Sequence, residues 1–170
     1  MNLKTTGAIL ATTLAIVAGP VSAATLEVSL ADPGWTGNKI PEGQHCQKFG
    51  GNGATPELKI SGIPADTVAI LVEFNDASFL PLSSGGGHGI VGFEHIGGAE
   101  AILPPVPGGT DETPAGTWIE KKNRATGAWE SPGYLPPCSG GIGNRYFAVV
   151  KAVSADKTVL AATEITLGRY

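Results

Sequence analysis

Charge is scarce in this sequence. Asp, Glu, Lys and Arg together make 15% of its 170 residues, against roughly 25% in an average soluble domain. Fifteen acidic and eleven basic residues leave a formal net charge of −4, and the densest basic stretch is only Lys121, Lys122 and Arg124. Nucleic-acid binding needs clustered cations that displace counterions, so nucleic acid is excluded as a general partner. Long hydrophobic runs are missing too: nothing after Ala23 approaches the about 20 apolar residues of a membrane-spanning helix, and the mature chain is not expected to be transmembrane. The sequence has no G-x-S-x-G, no H-E-x-x-H and no G-x-x-x-x-G-K-[ST]. Its three histidines, His45, His88 and His95, share no common metal-ligand spacing. A zinc site built from them with Asp76 is not expected, and no cofactor is implied.

What the chain has in excess is Gly, 25 residues, and Pro, 13 residues. These are the two poorest residues in a helix interior, so the balance favours strands and ordered loops. Hydrophobic residues at 42% still supply a core, and the length suits one domain. The first segment reads as an address. Met1 to Ala23 carries one charge, Lys4, then the apolar run Ala8 to Ala18, then Pro20 and the small-residue cleavage pattern Val21-Ser22-Ala23. Removal of this signal peptide leaves residues 24–170 as the mature domain, periplasmic or secreted. Export bears on Cys46 and Cys138, the two cysteines of the chain. An oxidising compartment favours their pairing, and closing so long a loop stabilises by roughly 4–5 kcal/mol in the chain-entropy picture. The alternatives are a metal ligand pair, for which no CxxC exists, and a free thiol beside His45, where adjacency in sequence is poor geometry for a catalytic pair.

Strand signals dominate the rest. Thr25 to Leu30 alternates as a half-buried strand does, and Glu57 to Ile60 is a short strand before the turn Ser61-Gly62-Ile63-Pro64. Val68 to Phe74 is a near-continuous apolar run and reads as a central strand buried on both faces, with Leu71 in the core. Ile90 to Phe93 and Arg145 to Val153 are further strands, the latter in the same sheet as Val68 to Phe74. Trp118 to Lys121 pairs locally within a loop-rich stretch from Ala99 to Pro137. Ile165 to Leu167 is a final short strand, and a short helix is expected around Val159 to Glu164.

Polar residues stand at the ends of these strands. Asp76 closes the apolar strand, His88 opens the next, and Tyr146 begins Arg145 to Val153. Were these strands neighbours, a carboxylate, an imidazole and a phenol would converge at one rim, a mixture of donors and acceptor suited to a small anion or polar headgroup. The backbone of Gly85, Gly86 and Gly87 could add N–H groups; the competing reading is a turn feeding the strand at Ile90. On this arrangement Asp76 orients His88 and favours its charged form. Ser83 or Ser84 beside His88 is the only local candidate for a nucleophile–base pair.

In order along the chain, several segments together resemble the phosphatidylethanolamine-binding protein family, in its bacterial Raf-kinase-inhibitor-like branch. Ile40-Pro41, Cys46, Asn52-Gly53-Ala54-Thr55-Pro56-Glu57-Leu58 and Ser61-Gly62-Ile63-Pro64 are similar to its opening pattern of I-P, Cys, N-x-S-P-x-L and S-G-x-P. Leu71 to Asp76 takes the place of the strand entering its D-P-D-A-P loop, and His88 with Ile90-Val91 that of its H-W-V element. Residues Gly133 to Cys138 and Asn144-Arg145-Tyr146-Phe147 resemble its G-Y-x-x-P-C and H-R-Y-x-F segments. Three positions depart from the pattern: Ser78 stands at the second acidic position, Gly89 at the Trp, and Asn144 at the histidine before Arg-Tyr.

The resemblance implies a mainly β, single-domain fold with a large central sheet, few short helices and a small ligand pocket. It implies a non-enzymatic binding protein for a small anion or phospholipid headgroup. Asp76, His88 and Tyr146 would touch the ligand, with Asn144 and Gly87 as lesser contacts. Two other classes are carried beside it: a protein-interaction module that regulates a partner enzyme through the loops of Ala99 to Pro137, and a hydrolase.

Overall fold

The apolar run that begins at Val68 forms the strand at the centre of the molecule, β3 (Ala69–Asp76). The computed structural model describes residues 25–170, and the expected leader, residues 1–23, lies outside the described residues. Strand β3 pairs antiparallel with β4 (Gly89–Glu94) on one side and with β7 (Arg145–Val153) on the other. Outside these lie β6 (Thr117–Lys121) and β8 (Val159–Arg169), so the sheet has five strands in the order β6-β4-β3-β7-β8. Three shorter strands, β1 (Glu27–Leu30), β2 (Leu58–Ser61) and β5 (Glu100–Leu103), form a second antiparallel sheet in the order β1-β2-β5. Among the described residues the helical segments are single 3-10 turns at Gln47–Phe49, Leu80–Leu82 and Gly127–Trp129. The fold is mainly β, as expected from the sequence.

The two sheets share one core. Successive side chains along a strand point to opposite faces, and Ile70, Val72 and Phe74 of β3 turn to the same face as Val91 and Phe93 of β4 and Ala148, Val150 and Ala152 of β7. All are buried, together with Leu58 and Ile60 of β2 and Leu103 of β5. The other face of β3 differs from expectation. Leu71 is half-buried there, and Glu73 forms an ion pair with Lys151 at 2.5 Å. The indole of Trp118 lies across Gly92 on the neighbouring strand, so close that a Cβ on Gly92 would meet the ring at 2.2 Å. The central strand is therefore fully buried on one face and only partly covered on the other.

Two further expectations are corrected. Residues 159–164, expected to hold a short helix, are the first half of β8, whose pairing with β7 runs from Arg145↔Arg169 to Val153↔Val159. Ala and Leu favour helix intrinsically, yet this segment is held extended by its antiparallel ladder with β7, and tertiary pairing overrides propensity. Residues 100–103, placed within loop-rich chain, form β5 against β2. Cys46 and Cys138 are joined as a disulfide with Cα atoms 5.2 Å apart, and the Cys46 N–H donates to the Pro137 carbonyl at 3.0 Å.

These burial differences set a stability test. Ile70→Ala, at a position 1% exposed, should destabilise by about 2–5 kcal/mol. Leu71→Ala, on the half-covered face, should cost about 1 kcal/mol. Urea midpoints at unchanged slope measure both, and equal shifts would contradict the assignment of the two faces.

Candidate functional site

Strand register builds the site. In the β3–β7 ladder Asp76 lies directly opposite Tyr146. The chain leaves β3, loops through residues 77–87 and returns so that the His88 N–H donates to the Phe74 carbonyl at 2.9 Å. Asn144 immediately precedes β7. The ends of three adjacent strands thus bring Asp76, His88, Asn144 and Tyr146 to one end of the large sheet, where all four line a cavity of about 480 Å³. Its remaining walls include Phe79, Leu82, Trp129, Leu135 and Ile142. The floor is polar and the walls are mostly apolar.

Each polar side chain of the floor is held. The Asp76 carboxylate accepts from the Asn144 amide at 2.6 Å through one oxygen and from the Ser78 N–H at 2.8 Å through the other. His88 donates from Nδ1 to the Leu135 carbonyl at 2.8 Å, which fixes the tautomer: in the neutral ring Nε2 carries the lone pair. That Nε2 is buried and has no hydrogen-bond partner. The Tyr146 hydroxyl accepts from the Cys138 N–H at 3.2 Å, and its ring meets His88 edge-on at 5.3 Å between centroids. Asp76 is the acceptor within the floor toward which the hydroxyl proton is drawn.

Protonation follows from burial. Loss of water around His88 lowers its pKa below the ordinary value, and this outweighs the opposing pull of the Leu135 carbonyl and the Asp76 carboxylate. His88 is therefore neutral at pH 7. The expectation that Asp76 would hold it charged is corrected here, because a carboxylate with two other hydrogen bonds does not repay the desolvation of an imidazolium. Burial, reinforced by Asp76, pushes the Tyr146 phenol up to about 12, so it keeps its proton.

Gly87 has a different role from the one expected. Its N–H and that of Gly86 both donate to Asn75 Oδ1, at 3.1 and 3.0 Å, and are not offered to a ligand. A Cβ on Gly87 would sit 2.1 Å from the Leu82 carbonyl oxygen, so close packing of the loop explains the residue. The Gly85–Gly87 stretch is the turn that feeds β4. Of the other candidates, Ser83 gives its hydroxyl to the Leu80 carbonyl. His45 stacks on Tyr170 and His95 bonds the Gly98 carbonyl, both away from the cavity. Among the described residues no three His, Cys, Asp or Glu side chains gather as a metal site.

Sequence reasoning missed the residues that fix the floor from behind. Leu135 binds His88 through backbone atoms alone, which leave no trace in residue type. Arg124 bonds the carbonyls of Pro81, Ser84 and Gly85 at 3.0, 2.8 and 3.1 Å and so holds the 77–87 loop as a cavity wall. Its place within a short basic stretch was the only available signal.

The architecture is that of the phosphatidylethanolamine-binding proteins. A crystal structure of a homolog of that protein from Chlamydia trachomatis D/UW-3/CX matches with a TM-score of 0.54, covering 86% of this chain and 97% of the other at 21% identity. Identity at that level shows the fold. No protein-family model and no curated protein matches the sequence.

The state of His88 makes stability depend on pH. The unfolded chain takes a proton on this histidine below about pH 6.5, while the native chain resists it. Native stability is therefore full above about 6.5 and falls as pH drops below it. Denaturation of wild type and His88→Gln at pH 5 and 7.5 should show a pH-linked loss in the wild type that the variant lacks; parallel behaviour would mean a normally titrating ring.

Proposed function

We propose that the protein is an exported, non-enzymatic binding protein whose cavity receives a small phosphate-bearing anion or phospholipid headgroup. The observation that carries this reading is the buried, unpartnered Nε2 of His88 beside a phenol proton and the free N–H of the Asn144 amide. A singly protonated phosphate monoester complements that set: its hydroxyl donates to Nε2, and its other oxygens accept from Tyr146 and Asn144. The negative charge of Asp76 is tolerated because two donors already hold it, and the proton shared between the phosphate and His88 reduces the charge it faces. The solved homolog's name points to the same class of ligand. The disulfide and the expected leader favour an extracytoplasmic setting, and among the described residues no helix is long and apolar enough to cross a membrane.

The complex carries one proton more than free protein and fully ionised ligand, whether that proton sits on Nε2 or on the phosphate. Affinity should then fall as pH rises past the second phosphate pKa of about 6. Calorimetric titration with phosphate and phosphoethanolamine between pH 5.5 and 8 tests this, with buffers of different ionisation enthalpy counting the proton. His88→Ala should weaken binding by about 10- to 100-fold, the loss of one charge-assisted hydrogen bond, and by more than Asn144→Ala does. Equal affinity in wild type and His88→Ala would refute the assignment.

A further inference from the structure

The large sheet ends on one side in β8, at 11 residues the longest strand among the described residues. Backbone parity across the sheet tells which of its groups face outward. The Ala77 N–H donates to the Arg145 carbonyl at 2.8 Å. Arg145 and every second residue after it in β7 therefore bond toward β3, and the residues between them bond toward β8. Val150 lies opposite Thr163 and Ala148 opposite Ile165. Thr163 and Ile165 thus bond β7, while Ala162 and Glu164 direct N–H and C=O away from the sheet. At the far end of the strand the outward groups of Arg169 are taken, by the Asn38 carbonyl at 3.1 Å and the Ile40 N–H at 2.9 Å. Among the described residues no backbone partner takes those of Ala162 and Glu164.

The other sheet edges are blunted. Strands β1 and β5 have 4 residues each, and β6 carries Glu120 and Lys121 where its pairing with β4 shifts register between Ile90 and Val91. Shortness, charge and bulges are the devices that keep exposed edges from pairing with other chains. Between its own two register shifts β8 holds a single such device, Glu164. Residues 161–166 read Ala-Ala-Thr-Glu-Ile-Thr, with no Pro and no Gly. The start of the strand is apolar and open, with Val159 49% and Leu160 37% exposed.

We propose that β8 pairs antiparallel with β8 of a second copy of this chain across a two-fold axis, joining the two large sheets into one. A two-fold contact sets the same segment against itself, and antiparallel pairing then brings each outward donor to an acceptor. The register follows from charge and from the covered end of the strand. With Ala162 opposite the partner's Ala162, Glu164 falls opposite the partner's Leu160 and Ile165 opposite the partner's Val159. The two Glu164 carboxylates are kept out of line, and the exposed valine gains a β-branched neighbour, a favourable cross-strand pair. Sliding the strands to set Glu164 against itself would oppose like charges. It would also drive the second chain into the segment around Gly37, which already lies against the Thr166 carbonyl. An extended peptide from another protein fits the edge less well. Such peptides are selected by pockets for alternate side chains, and Ala161, Ala162 and Thr163 are too short to wall one. The pairing residues are not among those that line the cavity, so the dimer does not depend on what the cavity binds.

Sedimentation equilibrium of the exported protein over about a hundredfold range of concentration tests the pairing, and the dimer fraction should rise with concentration. Ala162→Pro removes an outward N–H that β7 does not use, and proline is tolerated where the N–H of an edge strand faces solvent. It should weaken dimerisation about tenfold or more, since both copies lose a hydrogen bond at the axis. Ala162→Lys keeps the N–H and adds the charge that protects natural edges; repulsion across the axis should weaken the dimer to a similar extent. Urea midpoints close to wild type should show that both variants fold. Ala162→Cys should cross-link to itself under mild oxidation. Facing residues of a hydrogen-bonded antiparallel pair have Cα atoms about 5.5 Å apart, within reach of a disulfide. Glu120→Cys, on the opposite edge of the same sheet, should stay uncrosslinked. A wild type that is monomeric throughout, or dimers that survive both Ala162→Pro and Ala162→Lys, would overturn the proposal. So would Ala162→Cys that cross-links no faster than Glu120→Cys.

Discussion

Leu135 grips His88 twice, and the cavity depends on that grip. Its N–H donates to the His88 carbonyl and its carbonyl accepts from Nδ1, both at 2.8 Å. The first bond docks the 133–138 segment on the start of β4; the second selects the tautomer and turns Nε2 away from Leu135. Three residues later the Cys138 N–H fixes the Tyr146 hydroxyl. Just before Leu135, Tyr134 is buried against Phe74, with ring centroids 4.6 Å apart, and its phenol is pushed well above the usual range by loss of water. The disulfide then ties this segment to Cys46, 92 positions earlier. The covalent link that closes the long loop between Cys46 and Cys138 is thus also the anchor of the strip that aims His88 and Tyr146.

The charge pattern of the floor follows from a contest between burial and field. Asp76 is 3% exposed, and a buried carboxylate persists only when hydrogen-bonded. Asn144 and Ser78 supply those bonds. The same carboxylate raises the pKa of His88, but a ring 2% exposed loses more from missing water than it gains from one nearby charge. The floor consequently holds one negative group, one lone pair without a partner and one phenol proton. Such a floor does not attract a bare anion by net charge. Under the proposed reading it would take an anion that arrives with a proton, and proton linkage of that binding would originate here.

The sequence was most legible where a residue's surroundings are set by its own strand. Arg145 to Val153 was bounded to the residue, since a nine-residue run rich in aromatic and β-branched side chains with no Gly or Pro admits few alternatives. The convergence of Asp76, His88 and Tyr146 was readable because each stands at a strand boundary and antiparallel neighbours align such ends. What escaped depends on partners far along the chain. β5 is a four-residue strand after two glycines and exists through pairing with β2. β8 carries helix-favouring residues and is held extended by β7. The charge on His88 requires its burial, and the function of Gly86 and Gly87 requires knowing that Asn75 lies beneath them. None of these follows from local pattern.

The three departures from the family's pattern are mutually consistent in physical terms. Gly89 has φ of 116° and a Cβ position 3.2 Å from the Tyr134 Cα, so β4 starts in a conformation that disfavours any side chain, and the wall a tryptophan would build is absent. The mouth is bounded instead by Trp129 and Ile142 from other loops. Ser78 caps Asp76 with its N–H and accepts the Arg145 N–H on its hydroxyl at 3.0 Å; an acid there would set a second carboxylate beside a buried one and raise the cost of ionising both. Asn144 meets the remaining oxygen of Asp76 with an amide that cannot titrate. A histidine in its place would be drawn toward its charged form by direct contact with the carboxylate, adding a second proton site to the floor. With Asn144 there, His88 is the one imidazole that lines the cavity, and its protonation is governed by burial and by whatever approaches Nε2.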